Sequence, residues 1–220
     1  MKLLQLVLYI SSSAILFAQS APTSSPAAYG SVRGTVLTSD NKPLEGATVF
    51  VLPAQDMRQQ LRAQTDSNGK YLVKGVPAGE AYVHVYDEDK GYPYNFFSFF
   101  LMPGQEPRKV LVSSQKETDQ VNFKLGEKAA RLELEILDDL GVPITDGAEL
   151  VFTRPDLPGN YNRGGEANVS LLVPPVPFHL SIDVPGFRQW NYQNKETGGM
   201  LQPRPEEIVK ITVHLARSDK

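Results

Sequence analysis

Cysteine is absent from the 220 residues of this chain. That single absence excludes a disulfide framework, a Cys-ligated zinc, a thiol nucleophile and a diacylglyceryl lipoprotein anchor. A basic excess is lacking as well, because 22 Lys+Arg stand against 25 Asp+Glu, for a formal net charge of -3. Such a balance argues against nucleic acid as a partner, since its binders carry a basic face. Beyond residue 20 the sequence has no apolar run long enough to span a bilayer. Glycine and proline, 17 of each, are somewhat above average, which favours turns and short strands without reaching low complexity.

The first segment reads as a signal for export. Lys2 precedes the apolar run Leu3–Ile10, a Ser-rich break follows at Ser11–Ser13, and Ala14–Phe17 restores the apolar character. Ala18-Gln19-Ser20 then places small residues at the -3 and -1 positions of a cut before Ala21. A basic start, an apolar stretch and a small-x-small site make a secretory signal peptide over residues 1–20, cleaved after Ser20. A retained membrane anchor is the alternative. Residues 21–29 (APTSSPAAY) read as a flexible linker. A cysteine-free exported chain suits a bacterial periplasm or exterior, because small secreted eukaryotic scaffolds usually depend on disulfides.

From Gly30 onwards the period is two, which predicts an all-β protein. Leu132, Leu134 and Ile136 alternate with Arg131, Glu133 and Glu135, and Val209, Ile211, Val213 and Leu215 alternate with polar neighbours. This is the pattern of half-buried antiparallel strands. Further strands are expected at Ser31–Leu37, Ala47–Leu52, Tyr71–Lys74, Ala81–Tyr86, Asn95–Met102, Val110–Ser113, Gln120–Leu125, Glu149–Thr153, Ala167–Val173 and Leu180–Val184. Ala54–Ala63 is expected to be a loop. Asp66-Ser67-Asn68-Gly69 is expected to be a tight turn rather than a calcium loop, because the later acidic ligands are missing.

An internal repeat divides the body. Pro43-Leu44-Glu45-Gly46-Ala47 resembles Pro143-Ile144-Thr145-Asp146-Gly147-Ala148; Val76-Pro77 resembles Val173-Pro174; Gly91-Tyr92 answers to Gly186-Phe187. A period this long implies two domains, 30–126 and 129–217, joined by Gly126-Glu127-Lys128.

The first copy, with Gly34-Thr35-Val36, Pro43-Leu44-Glu45-Gly46-Ala47, Thr65-Asp66-Ser67-Asn68-Gly69-Lys70-Tyr71 and Gly75-Val76-Pro77-Ala78-Gly79 in order, resembles the carboxypeptidase regulatory-like domain. The second copy lacks the Thr-Asp-x-x-Gly-x-Tyr element and resembles a diverged member. The resemblance implies two tandem seven-stranded antiparallel β-sandwiches of prealbumin-like, Greek-key order, acting as accessory or interaction modules. Neither a peptidase nor a barrel follows in this sequence, so the expectation is a protein acting by itself.

A search for chemistry yields little. His84, His179 and His214 lie on separate strands without an HxH or HExxH partner, and alternation turns each outward, so no metal site is expected. A Gly-x-Ser-x-Gly elbow and a phosphate loop are both absent from the sequence. The C-terminal Ala216-Arg217-Ser218-Asp219-Lys220 differs from the Tyr-Arg-Gly-Ser ending of the similar hydroxyisourate hydrolases. The Tyr/His iron pattern of intradiol dioxygenases is missing too. The reading is a non-enzyme without cofactors, secreted or periplasmic, with an envelope or extracellular protein as its partner. Polysaccharide is the second possible partner and an undetected hydrolase the remote alternative. Candidate contact residues are the aromatics and their neighbours: Tyr82, His84 and Tyr86 on one strand, Tyr92, Tyr94, Phe97 and Phe99 around the next, and Phe187 and Trp190 in the second copy. Phe97 and Phe99, or their alternates Phe96 and Phe100, are expected to meet the second copy or a partner.

Overall fold

The structure is a computed structural model that describes residues 28–94, 100–114, 116–118 and 120–218. Signal and linker readings for residues 1–27 lie outside these, as do Phe97 and Phe99. Residues 29–125 form β1 (Tyr29–Leu37), β2 (Thr48–Pro53), β3 (Leu61–Gln64), β4 (Lys70–Pro77), β5 (Gly79–Tyr86), β6 (Arg108–Val112), β7 (Glu117–Thr118) and β8 (Phe123–Lys124). Residues 130–214 form β9 (Ala130–Leu137), β10 (Ala148–Thr153), β11 (Asn160–Gly165), β12 (Val169–Val173), β13 (His179–Asp183), β14 (Trp190–Asn191) and β15 (Ile208–His214).

The two halves are built alike. In the first, β4-β1-β7, with β8 also on β1, faces β3-β2-β5-β6; in the second, β12-β9-β15 faces β11-β10-β13-β14. Two short pieces, β7 and β8, stand where the second half has the single strand β15. Alternating residues fill the space between layers. Val32, Val36, Val49, Val51, Tyr71, Val73, Val83, Val85 and Phe123 close one core. Leu132, Ile136, Leu150, Phe152, Leu171, Leu180, Ile182 and Val213 close the other. The turns match as well. Leu37 bridges Pro43 and Leu137 bridges Pro143, and the amides of Thr38 and Asp138 donate to the carbonyls of Lys42 and Val142, both at 2.9 Å.

Pairing is antiparallel except at three places. β7 and β8 run parallel to β1, and β15 runs parallel to β9. Alternation alone suggested antiparallel ladders throughout, but β7 and β15 each return from the opposite layer by a crossover and so enter in the same direction as their partner, and β8 continues along β1 in the direction of β7. Three other differences concern extent. β3 begins inside the stretch expected to be loop, β11 is a strand despite its Gly-Gly end, and residues 100–102 of the expected strand Asn95–Met102 are not in a strand.

The Asp66 turn forms as its residues require. Asp66 Oδ1 accepts from the amides of Asn68 and Lys70, both at 2.8 Å, and Gly69 takes φ 69°. A side chain on Gly69 would lie 2.4 Å from the Val36 carbonyl oxygen, so this position needs glycine twice over.

Candidate functional site

The structure divides the seven described candidate residues, Tyr82, His84, Tyr86, Tyr92, Tyr94, Phe187 and Trp190, among separate environments rather than gathering them on one platform. His84 is the first correction. Its alternation does point it away from the main core, yet it is only 6% exposed. The ring stacks on Phe50 of β2 at 4.9 Å and an interplanar angle of 1°. Phe50 also meets Tyr86 at 5.8 Å and Tyr94 at 5.3 Å, so the outer face of this sheet carries an aromatic cluster of its own. Tyr86 and Tyr94 are half-buried within it, and Tyr82 is half-buried on the same strand. Burial raises the Tyr94 phenol above its usual value.

Tyr92 is the second correction, being a core residue at 1% exposure. Its amide and carbonyl exchange 2.8 Å bonds with Asp87 across a short turn, Glu88–Lys90, that Asp87 caps. Phe187 and Trp190 are the third. Both pack half-buried against the second core, with the Arg217 guanidinium 5.4 Å over Phe187 and Trp190 paired to Ile182 at the sheet edge. Both thus belong to a packed sheet edge rather than to one exposed platform with the aromatics of the first half. His179 and His214 are exposed on their strands, and no cluster of three potential metal ligands occurs among the described residues.

Where the halves meet, the chain is pinned at several points. Gly126 donates to the Pro103 carbonyl at 2.7 Å, and Ala129 donates to the Gly91 carbonyl at 2.8 Å. Arg154, which is 6% exposed, reaches from the end of β10 to the Leu101 carbonyl at 2.6 Å, while Asp156 holds its other nitrogens at 2.6 and 3.0 Å. That guanidinium keeps the Asp156 carboxyl below its usual value. Phe100 packs edge-on to Tyr161 of β11 at 4.9 Å and lies against the second core. Of the four phenylalanines expected to meet the second half, Phe100 is the one the structure describes. Gln105, fully buried, donates to the Val85 and Pro93 carbonyls at 2.8 and 3.1 Å and fastens the segment 100–105 to the first half.

These contacts leave a groove along the seam, a cavity of 540 Å³ with Tyr94, Phe100 and Asp89 on one side and Arg131, Tyr161 and Arg163 on the other. A second hollow of 250 Å³ shares Glu88, Asp89, Arg131 and Leu172 with it. Apart from Tyr94 and Phe100, the sequence reading missed this set. Phe50, Arg131, Arg154, Tyr161 and Arg163 come from segments that are unremarkable singly. Only the juxtaposition of Arg154 with Asp156 straight after an apolar strand hints at a buried charge.

Two facing sheets in this order, repeated, define a pair of β-sandwiches. Residues 31–126 match the model of the carboxypeptidase regulatory-like domain family. No match is found among curated proteins. Among solved structures, the Bacillus anthracis TIE protein shares 14% identity over 86% of this chain and 34% of its own, with TM-score 0.37. GBS52, the minor pilin of Streptococcus agalactiae, shares 11% over 87% of this chain and 97% of its own, with TM-score 0.39. The shaft pilin SpaA of Lactobacillus rhamnosus GG shares 10% over 87% and 99%, with TM-score 0.34. This chain thus spans about a third of the TIE chain, and at these values the likeness concerns β-sandwich construction alone.

Proposed function

We propose that this chain is an exported, non-catalytic binding protein that acts through contacts with another protein of the bacterial envelope. Its two sandwiches, 30–126 and 129–217, are on this reading copies of one domain, the second diverged. Matching sheet order and matching Pro43 and Pro143 turns support the duplication, and the small-x-small pattern ending at Ser20 supports export. No helix among the described residues is long and apolar enough to cross a membrane.

One observation carries the binding role. The halves are fastened by Arg154, Phe100 and the Gly91–Ala129 bond in a way that keeps a charged, aromatic-lined groove open between them. A seam needed only for stability gains nothing from unpaired charges lining an open hollow. The polysaccharide reading loses its platform, because His84 and Tyr92 are buried and Phe187 and Trp190 are packed into a sheet edge. Mild crosslinking of the tagged full chain in envelope extracts tests the reading. Enrichment of a defined protein partner is expected; a monomer with no enriched partner removes it.

A further inference from the structure

We infer that the seam groove takes an extended peptide segment of the partner bearing a basic and an acidic side chain beside an aromatic one. This rests on the protein-binding reading above. The cavity of 540 Å³ falls within the range typical of ligand sites, roughly 300–1,000 Å³. Its walls carry opposite charges. The Glu88–Lys90 turn presents Glu88 and Asp89, whereas β9 and β11 present Arg131 and Arg163. Among the described residues no ion pair joins the two walls. The side chains of Asp89 and Arg163 have no hydrogen-bonding or ionic partner among the described residues, that of Arg131 makes one 3.2 Å bond to Ser170 Oγ, and that of Glu88 accepts a long 3.4 Å bond from the Tyr94 amide.

A purely anionic ligand would meet Glu88 and Asp89, and a purely cationic one would meet both arginines. Only a ligand of both signs satisfies the two walls together, and like-charge contact discriminates strongly against the others. Tyr94, Phe100 and Tyr161 add aromatic surface in the same hollow. An extended segment fits the elements on offer. β11 and β12, which supply Tyr161, Arg163, Ser170 and Leu172, are both terminal strands of their sheets, so each has an outer edge of backbone groups open to strand addition. A neutral or acidic glycan would use the aromatics but leave Glu88 and Asp89 unanswered.

The test uses the full chain and three synthetic peptides, blocked at both ends, each with a central Tyr. One carries Lys and Glu, one replaces Lys by Gln, and one replaces Glu by Gln. Fluorescence anisotropy at low salt is expected to rank the two-signed peptide tightest by at least tenfold, with affinity falling as salt rises. In R163E, an exposed change that leaves the core intact, that peptide should weaken at least tenfold while the peptide with Gln in place of Glu holds or gains. Equal affinities for the three peptides, no binding by any, or indifference to R163E would overturn the inference. A response to acidic oligosaccharides instead would overturn it equally. The envelope crosslinking separates the two levels: a partner retained by R163E sinks the groove assignment alone, and the absence of any partner sinks the broader reading.

Discussion

Tyr71 shows how one side chain ties β4, across β1, to the connection between β7 and β8 within one layer of the first sandwich. Its ring lies in the core at 4% exposure, and its hydroxyl donates to the Val121 carbonyl at 2.5 Å. Gly34 stands against the same carbonyl, where a Cβ would come within 2.0 Å of the oxygen. Tyr71→Phe keeps the packing and removes the donor, so denaturant unfolding should report a loss of about 1–3 kcal/mol. The same variant has a pH signature. Burial drives the Tyr71 phenol well above its ordinary value, so the folded state favours the neutral form. That contribution is whole below about pH 10, the unfolded value, and is lost as pH rises further and unfolded chains ionise. Wild-type melting temperature should therefore fall more steeply between pH 9 and 11 than that of Tyr71→Phe. Some slope will remain, because Tyr92 is raised by burial too. Identical slopes would dismiss Tyr71 as the source. Thr65 offers a second check at this scale. Buried at 4%, it donates to the Leu44 carbonyl and accepts from the Ala47 amide at 2.9 Å, so Thr65→Val should cost about 1–3 kcal/mol by the same measurement.

Among the elements, segment 100–105 depends most on its neighbours, since it has no ladder of its own. Gln105 fixes one end and Arg154 the other. Arg154→Met keeps most of the apolar stem but drops the bond to Leu101 and the pairing with Asp156. Limited proteolysis should then cut within 100–105 faster, while amide exchange in β1, β2 and β5 stays as in wild type; unchanged cleavage would mean that the segment holds itself. The strands that make these elements were legible in the sequence because period-two alternation reports directly which residues share a face. Leu132, Leu134 and Ile136 fall as their spacing demands. Alternation is silent about what covers the other face. That is why His84, correctly turned outward, proves buried against Phe50. It is equally silent about strand direction, so the parallel entry of β15 beside β9 could not be read. The groove was hidden for a related reason: Arg131, Arg163 and Asp89 are ordinary surface charges until a crossing of two sheets brings them to one hollow.

At the scale of the whole molecule the question is whether two complete cores behave as one cooperative unit. Each sandwich closes its own layers, and only Gly126-Glu127-Lys128 joins them covalently. Contacts across the seam supply the coupling. Partial covering of the Phe100 side chain contributes a fraction of the about 1.5–3 kcal/mol of full burial, and the charged hydrogen bond from Arg154 to Leu101 about 1.5–3 kcal/mol. The exposed Lys128–Glu206 pair, at 2.7 Å, adds little, as surface ion pairs do. A few kcal/mol is enough to merge two unfolding events when the separate stabilities differ by no more than that, because the folded state of each half then acts as a ligand for the other. Calorimetry of the full chain should accordingly show a single transition. Phe100→Ser combined with Arg154→Met removes most of the coupling and leaves both cores, so the variant should split into two transitions, one near the wild-type temperature and one below it. Cleavage at Gly126–Lys128 should quicken in step, as the linker loses its Pro103 and Gly91 anchors. If the double variant still melts in one transition of wild-type width, the halves are coupled elsewhere, and the seam is an opening between two independently joined walls rather than the joint itself.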